Sequence, residues 1–535
     1  MSGHPLTQPA TSSRMRFFTS KSSFPIPHPP QMSNKGNYIL SLSQFTTWLG
    51  GVADEMGVEV YPGFAGAGLV YGDQGEVRGV ITNEVGLDRQ GRMKDNFEPG
   101  MRFLAKVTLL AEGAHGSLSK TVINRFDLRR NADPQTYGMG IKEVWRVDEG
   151  QYRPGEVVHT MGWPLDWKTY GGGWVYHMAD GLVSLGLVVG LDYANPYLSP
   201  YRELQVHLFC LLIMPGLQFF FQRMKHHPYF SKLLANGERL AYGGRTLNEG
   251  GLQSIPQLHF PGGALIGCSA GFVNVPKIKG THNAMKSGMV AAEAAFLAVE
   301  GLSDMSVYEE TLKRSWVWNE LREVRNIRPS FNTPLGIWGG IAYSGLDSLI
   351  LKGRVPWTFR TKTSDASHTK RARYVKLHFL QKSQLIRDIS ECTPIVYPPP
   401  QPPLSTDLLT SLTLTATNHA EDQPVHLRLP LGTDAHRAHV QRSVGEYAGL
   451  LGRACPAAVY EYVDASEKDI EGAWEGKKLV INSQVRVVRL DIIWFVTCQH
   501  RIVFIASYVI SKCLRKTSHG PCPRVVVVRN TVCTL

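Results

Sequence analysis

The sequence predicts a mixed α/β (α+β) fold, and three observations predict it. The stretch Gly262-Gly-Ala-Leu-Ile-Gly267-Cys268-Ser269-Ala-Gly271 is a short apolar run closing on a glycine-rich turn, and beyond Gly280-Thr-His282 small residues recur at Ala284, Gly288, Ala291, Ala292 and Ala295. That spacing lets a helix lie close on a sheet, so the segment reads as strand, turn and helix. Residues 36–130 alternate strand-type runs with one helical pattern over residues 42–57, and residues 135–250 are strand-rich, with Gly138-Met-Gly-Ile-Lys-Glu-Val-Trp145 and residues 183–191 as sheet candidates. Finally, 52 Gly and 32 Pro with only 19% charged residues suit a loop-rich α/β protein better than a bundle or a disordered chain.

The turn at Gly267 offers backbone N–H groups ahead of a helix N-terminus, where a partial positive charge favours an anion; a phosphate or the edge of a flavin ring is the natural guest. With 535 residues, 43% of them apolar, the chain can bury two or three cores. A net charge of +12 would suit nucleic acid, an anionic membrane face or an acidic protein. No basic stripe interleaved with aromatics and no helix-turn-helix pattern is present, so nucleic acid is set aside. The eight cysteines include no Cys-x-x-Cys pair, which argues for a reducing compartment and against a disulfide framework. Arg14, Arg16, Lys21 and Lys35, in a stretch without acidic residues, give residues 1–35 a superficial likeness to a mitochondrial transit peptide.

The segment Cys268-Ser-Ala-Gly-Phe-Val-Asn-Val-Pro-Lys-Ile-Lys-Gly-Thr-His282 closely resembles the second flavin-contacting motif of the electron-transfer flavoprotein:ubiquinone oxidoreductase family. The resemblance runs along most of residues 24–484. It is carried by Gly36-Asn-Tyr-Ile-Leu, Ala111-Glu-Gly-Ala-His-Gly116, Gly162-Trp-Pro-Leu-Asp166, Gly186-Leu-Val-Val-Gly-Leu-Asp192, Leu247-Asn-Glu-Gly-Gly251, Ser315-Trp-Val-Trp318 and Thr417-Asn-His-Ala-Glu-Asp-Gln-Pro424, among others. It implies a Rossmann-like FAD-binding domain made of residues 1–134 and 255–330, its N-terminal part missing, interleaved with a β-rich quinone-binding domain at 135–254. A membrane-surface segment and linker would follow at 331–393, a degenerate ferredoxin-like domain at 394–484, and a tail foreign to the family at 485–535.

The same resemblance implies the site residues and the reaction. Glu112, Gly113 and Gly116 would meet the adenosine side of FAD; Gly267, Cys268, Ser269, Gly271, Gly280 and His282 would line the rest of the cofactor. Gly171 and Gly172, in Thr169-Tyr-Gly-Gly172, would lie at the ubiquinone headgroup, where a missing side chain lets a ring approach the backbone. Cys455, in Cys455-Pro-Ala, would be the first of four ligands to a 4Fe-4S cluster. Electrons would pass from reduced electron-transfer flavoprotein to ubiquinone on the matrix side of the inner mitochondrial membrane. Such chemistry needs no acid–base dyad, and His115, His226 and His227 read as structural. No run of about 20 apolar residues offers a spanning helix. Residues 335–351, containing Trp338 and Tyr343 with Trp357 nearby and Lys352 and Arg354 at the end, read instead as an interfacial, monotopic segment.

The chain departs from the family pattern in three places. No Gly-x-Gly-x-x-Gly turn stands ahead of Gly36, and Gly63-Phe-Ala-Gly66-Ala-Gly68 has its spacing reversed between the strand-type residues 58–61 and 68–71. FAD is therefore expected to bind weakly or not at all. After Gln484 the Cys-x-x-Cys-x-x-Cys triplet does not arrive, and Cys498, Cys513, Cys522 and Cys533 are too widely spaced to replace it, so no cluster is expected. The apolar residues 206–222, broken by Pro215, begin with Val and end with Gln as translated intron sequence does; the tail 485–535 also begins with Val, and 374–390 is read as a further insert of this kind. Two other readings stand beside the main one: an FAD-dependent reductase or hydroxylase of a lipid-like substrate, and an inactive product of a mis-spliced or misread gene.

Overall fold

Val107-Thr-Leu-Leu110 is an almost wholly apolar run, and such a run suits a strand covered on both faces. In the computed structural model, which describes residues 3–205, 207–210, 219–222, 224–372, 392–416, 422–425, 429, 432–466, 472–482 and 525–528, it forms a fully buried strand, Val107–Leu110. It lies inside a four-stranded sheet, parallel to Gly263–Leu265 on one side and to Val525–Val528 on the other, with His259–Phe260 at the far edge. The helix Thr281–Val299 covers this sheet with the predicted small-residue face: Ala284, Gly288, Ala291, Ala292 and Ala295 are all buried. Helix Leu42–Glu55, capped by the Ser41 hydroxyl, ends where Gly57 turns the chain at φ +81°. Residues 58–61, read as a strand from sequence, are irregular, and the strand begins at Gly66 (Gly66–Tyr71).

The second unit is a seven-stranded sheet in the order Glu238–Asn248, Tyr137–Arg146, Leu182–Gly190, Gly171–His177, Glu156–Gly162, Ser12–Phe18, Ser23–Ile26. Val183, Leu185, Leu187 and Val189 alternate along one strand and all enter the core with Ile141, Val158 and Val175, the period-2 pattern of a one-sided sheet. All its pairings are antiparallel except Ser12–Phe18 beside Glu156–Gly162. Residues 1–134, expected as one cofactor unit, are thus divided. The transit-like stretch holds Ser12–Phe18, a strand of this seven-stranded sheet whose Phe18 is buried in its core.

Between helix Pro200–Gln205 and the turn Met224–His226, the described part of the suspected insert is a separate hairpin, His207–Cys210 against Phe219–Gln222. Its two flanks converge on one buried carboxylate: Gln205 Nε2 (2.5 Å) and Lys225 Nζ (3.0 Å) both donate to Glu143, joined by Arg239 Nη1 (3.0 Å) and Trp145 Nε1 (2.7 Å). Residues 374–390 lie outside the described residues. The C-terminal unit docks on the same sheet: Tyr242 donates to the Pro456 carbonyl, Tyr201 to that of Thr406, and Arg453 to that of Pro196.

Candidate functional site

Pairing Leu110 with Leu265 brings two turns together at the carboxyl ends of neighbouring parallel strands, the place where α/β sheets bind ligands. The Ile266 N–H donates to the Leu110 carbonyl at 3.0 Å, which fixes the two turns side by side. In the first turn the Glu112 carboxylate folds back onto its own helix, Ser117–Arg125. It accepts from the backbone N–H groups of Leu118 (3.2 Å) and Ser119 (2.5 Å) and from the Ser119 hydroxyl (2.7 Å). Gly116 leaves room for this fold, since a Cβ there would lie 2.4 Å from that of Glu112, and Gly113 makes the bend at φ +83°. Glu112 therefore shapes the turn and caps the helix, with its oxygens already engaged.

The second turn is held open. Gly267 (φ +59°) donates its N–H to Ser287 Oγ at 3.0 Å, and Gly271 bends at φ +93° where a Cβ would come within 2.8 Å of Gln135 Nε2. Around it, Ser269 Oγ, Gln135 Nε2, Thr136 Oγ1 and Asn248 Oδ1 are buried without a hydrogen-bond partner among the described residues. A buried polar atom left unpaired costs about 1–3 kcal/mol, so several in one neighbourhood mark a place meant for a polar guest. This turn fits a flavin. Cys268 lines the adjoining cavity, its thiol pushed up by burial, a neutral group beside that guest.

Gly280 ends a loop, and His282 opens the helix Thr281–Val299 that follows; both are fastened by Glu320, which the motifs did not single out. Glu320 accepts from Asn274 Nδ2 (2.9 Å), His282 Nε2 (2.8 Å) and Lys277, and the His282 ring stacks on Trp316. Burial pushes the Glu320 carboxyl up, but the bonds from His282, Lys277 and Asn274 outweigh it and hold it at about 2. His282 thus serves the loop wall. Ile278 in this loop has φ +57°, a strained conformation for a β-branched residue, and its side chain is exposed at the cavity mouth.

The cavity, of about 660 Å³, runs from Cys268, Gly280 and Glu249 past Gly171, Gly172 and Gly173 to Trp338 and Leu349. The sheet itself demands these glycines: a Cβ on Gly171 would meet the Val188 carbonyl at 2.3 Å, and one on Gly172 the Thr160 carbonyl at 2.4 Å. They are required by strand packing as well as by any ring against them. At the mouth, helix Gly336–Leu346 continues into the wider turn Asp347–Leu351 and leaves Trp338 (57%), Leu349 (64%) and Ile350 (71%) exposed. Phe17 stacks between Phe24 and Trp338. Among the described residues no helix is long and apolar enough to cross a membrane.

Beside Gly171, a buried charge group also went unassigned in the sequence. Arg328 donates to Asp192 Oδ2 (2.9 Å) and Glu249 Oε2 (3.2 Å) and lies 3.9 Å over the Tyr170 ring. Asp192 and Glu249 both lie in motifs that carry the resemblance, each an acid just beyond the end of a strand, which was the available signal.

Cys455 does not line this cavity and packs against the core of the seven-stranded sheet near Tyr242. Burial raises its thiol, and the backbone N–H groups of Val459, Ala457 and Tyr460 pull the other way, as they would toward a thiolate ligand. No group of three or more metal-binding side chains occurs among the described residues. Cys498, Cys513, Cys522 and Cys533 lie outside them. Four thiolates hold a four-iron cluster; one is supplied here, so the described residues do not fit one.

Comparison with known proteins gives the same answer as the motifs. The family model for the ubiquinone-binding part of ETF-QO matches residues 137–210, and that for the 4Fe-4S part of electron transfer flavoprotein-ubiquinone oxidoreductase matches residues 403–493. Within the latter range Cys455 is the single cysteine. A probable mitochondrial electron transfer flavoprotein-ubiquinone oxidoreductase of Schizosaccharomyces pombe is 51% identical over 480 residues, covering 89% of this chain and 69% of the relative. The mitochondrial electron transfer flavoprotein-ubiquinone oxidoreductase of Homo sapiens is 48% identical over 494 residues, 90% of this chain and 73% of the relative. A probable counterpart from Saccharomyces cerevisiae is 45% identical over 515 residues, 90% and 75%. With identity of this order along nine-tenths of its length, and with the flavin turn, the glycine-walled cavity and Cys455 all where the motifs fall, the chain belongs to the electron transfer flavoprotein-ubiquinone oxidoreductases, a family of oxidoreductases.

Proposed function

We propose that this chain oxidises reduced electron transfer flavoprotein and reduces ubiquinone on the matrix face of the inner mitochondrial membrane. The observation that carries the reading is the continuous apolar cavity joining the Gly267 turn to the exposed face of 336–351. A long-tailed quinone needs such a path: its ring at Gly171–Gly172, its tail leaving beside Trp338 and Leu349 into lipid. Ser269, Gln135 and Asn248 would hold FAD through the polar atoms they leave unpaired, and Gly267 and Gly271 shape the turn that admits it. FAD, when bound, supplies the exchange between one- and two-electron steps. Glu320 keeps the loop wall closed against water, and Arg328 keeps Tyr170 and the following glycines in register. Cys455 alone supports no cluster step, which favours a chain whose electron entry is impaired relative to its family.

Membrane attachment follows from the same surface. Trp338, Leu349, Ile350 and Trp357, exposed together with Lys352 and Arg354 nearby, match an interfacial segment that buries its apolar side at the headgroup level and keeps its cations outward. The test uses Gly345, which lines the cavity and where a Cβ meets nothing within 4 Å. Decylubiquinone should quench the fluorescence of Trp174 and Trp338 in the full chain, and Gly345→Phe should weaken that binding at least tenfold. Equal quenching in both proteins would refute the assignment of the cavity.

A further inference from the structure

Glu249 is the only carboxylate among the described residues that line the cavity, and its ion pair is with Arg328. Glu249 is buried, the side chain of Asp192 is 8% exposed, and the two share a single guanidinium, Arg328, through Oε2 at 3.2 Å and Oδ2 at 2.9 Å. Asp365, half-buried on a surface turn (Asp365–Ser367), adds a third acid nearby; its Oδ2 accepts from the Tyr137 N–H at 2.8 Å while Glu249 N–H donates to the adjacent Thr136 carbonyl at 2.7 Å. Tyr170 faces Arg328 with an uncharged ring, His368 faces Asp365, and Lys168, Lys279, His28, His159 and Cys268 line other parts of the cavity. Two ionised carboxylates around one guanidinium, out of water, leave uncompensated negative charge, and the stable arrangement keeps a proton on one of them. Glu249 is the one on which burial, with Asp192 and Asp365 in support, prevails over Arg328, placing it at about 7.

Its position completes the case. Glu249 Oε1 makes no hydrogen bond among the described residues. It sits against Gly138, where a Cβ would come within 2.2 Å of it and 3.0 Å of Val188 Cγ1; Val188 is the strand partner of Gly172. The free oxygen and the glycine wall are therefore one strand apart in the same cavity. We propose that Glu249 is the proton donor of the cavity, handing its carboxyl proton to a quinone oxygen at Gly171–Gly172 and regaining it from water. This rests on the quinone reading above. Reduction of one quinone takes two electrons, which the reduced flavoprotein donor supplies, and two protons. Each proton leaves the Glu249 O–H and forms an O–H bond on the quinone, and the carboxylate left behind is reprotonated from water before the second transfer.

The experiment measures decylubiquinone affinity of the full chain by tryptophan quenching from pH 5 to 9, beside an infrared titration of buried carboxyl groups without quinone. In the unsubstituted chain affinity should fall about tenfold as pH rises through about 7, where the donor proton is lost. In E249Q the amide donates at every pH, so affinity should vary less than about twofold, and the infrared band that titrates near neutrality should vanish. D192N should move the fall in affinity to lower pH by about one unit, because Arg328 then serves Glu249 alone; this second variant carries the test where E249Q does not fold. A pH profile that E249Q leaves unchanged, or a D192N profile that does not move, overturns the proton-donor assignment while the quinone reading survives. Absence of quenching at every pH, with the infrared band present and lost in E249Q, overturns the quinone reading and with it the donor role.

Discussion

Replacing Glu143 by Ala should be among the most damaging single changes in the chain, and the structure says by how much. Its carboxylate and Lys225 are both fully buried, with Arg239 nearly so, and the four donors that meet it arrive from separate segments of the chain. Burial pushes Glu143 up, but Lys225 and Arg239 outweigh it and keep the carboxyl below its usual range; burial pulls Lys225 down to about 8, so it is still charged at pH 7. Glu143→Ala strands that ammonium in an apolar core. Breaking a buried pair by removing one partner costs about 3–5 kcal/mol. At about 2–4 °C per kcal/mol for a unit of this size, the thermal transition should fall by roughly 6–20 °C. Thermal melts followed by circular dichroism provide the assay, with Glu143→Leu/Lys225→Met/Arg239→Met as the control that removes the carboxylate and both of its cations and should recover most of the loss. A drop of less than about 2 °C for Glu143→Ala, or a triple variant as unstable as the single one, would refute the claim that charge burial holds this corner together.

Three more outcomes follow from the same kind of argument. Deleting residues 206–222 should raise soluble yield and leave the melting profile of the rest intact, because Gln205 and Lys225 already meet at Glu143 without the hairpin; unfolded or less soluble protein would show the segment to be part of the fold. Glu320, held at about 2, contributes stability that is complete above its unfolded value near 4.5 and disappears as pH falls through about 2, so limited proteolysis at the 274–280 loop should increase in that acid window and Glu320→Gln should show the increase already at pH 7. Iron and labile-sulfide assays after anaerobic reconstitution should find far fewer than the roughly four irons of a complete cluster, since one thiolate cannot replace four; a full complement would overturn the reading of Cys455 as a lone surviving ligand.

Local chemistry makes much of this fold readable without coordinates. The Gly267 turn, the small-residue face of Thr281–Val299 and the alternating run Val183, Leu185, Leu187, Val189 each state their surroundings through spacing alone, since helix and strand periods are short-range properties of the backbone. Helix Leu42–Glu55 is legible to within two residues because Ser41 and Gly57 punctuate it. Residues 58–61 mislead for the converse reason: alternating apolar residues allow a strand but do not supply the neighbour it must pair with.

What the sequence by itself determined was the family, the turn that fits a flavin, the glycine pair at the cavity and the lone Cys455, because each is a motif of adjacent residues. Tertiary structure alone decided the rest. It turned Glu112 inward as a helix cap, gave His282 to Glu320, joined Ser12–Phe18 to the distant strand Glu156–Gly162, and set Arg328 between Asp192 and Glu249. The physical reason is that a hydrogen bond or a buried charge is satisfied by whichever group the packed chain brings within about 3 Å. That partner is chosen by the closing of the whole core and leaves no mark in the local order of residues.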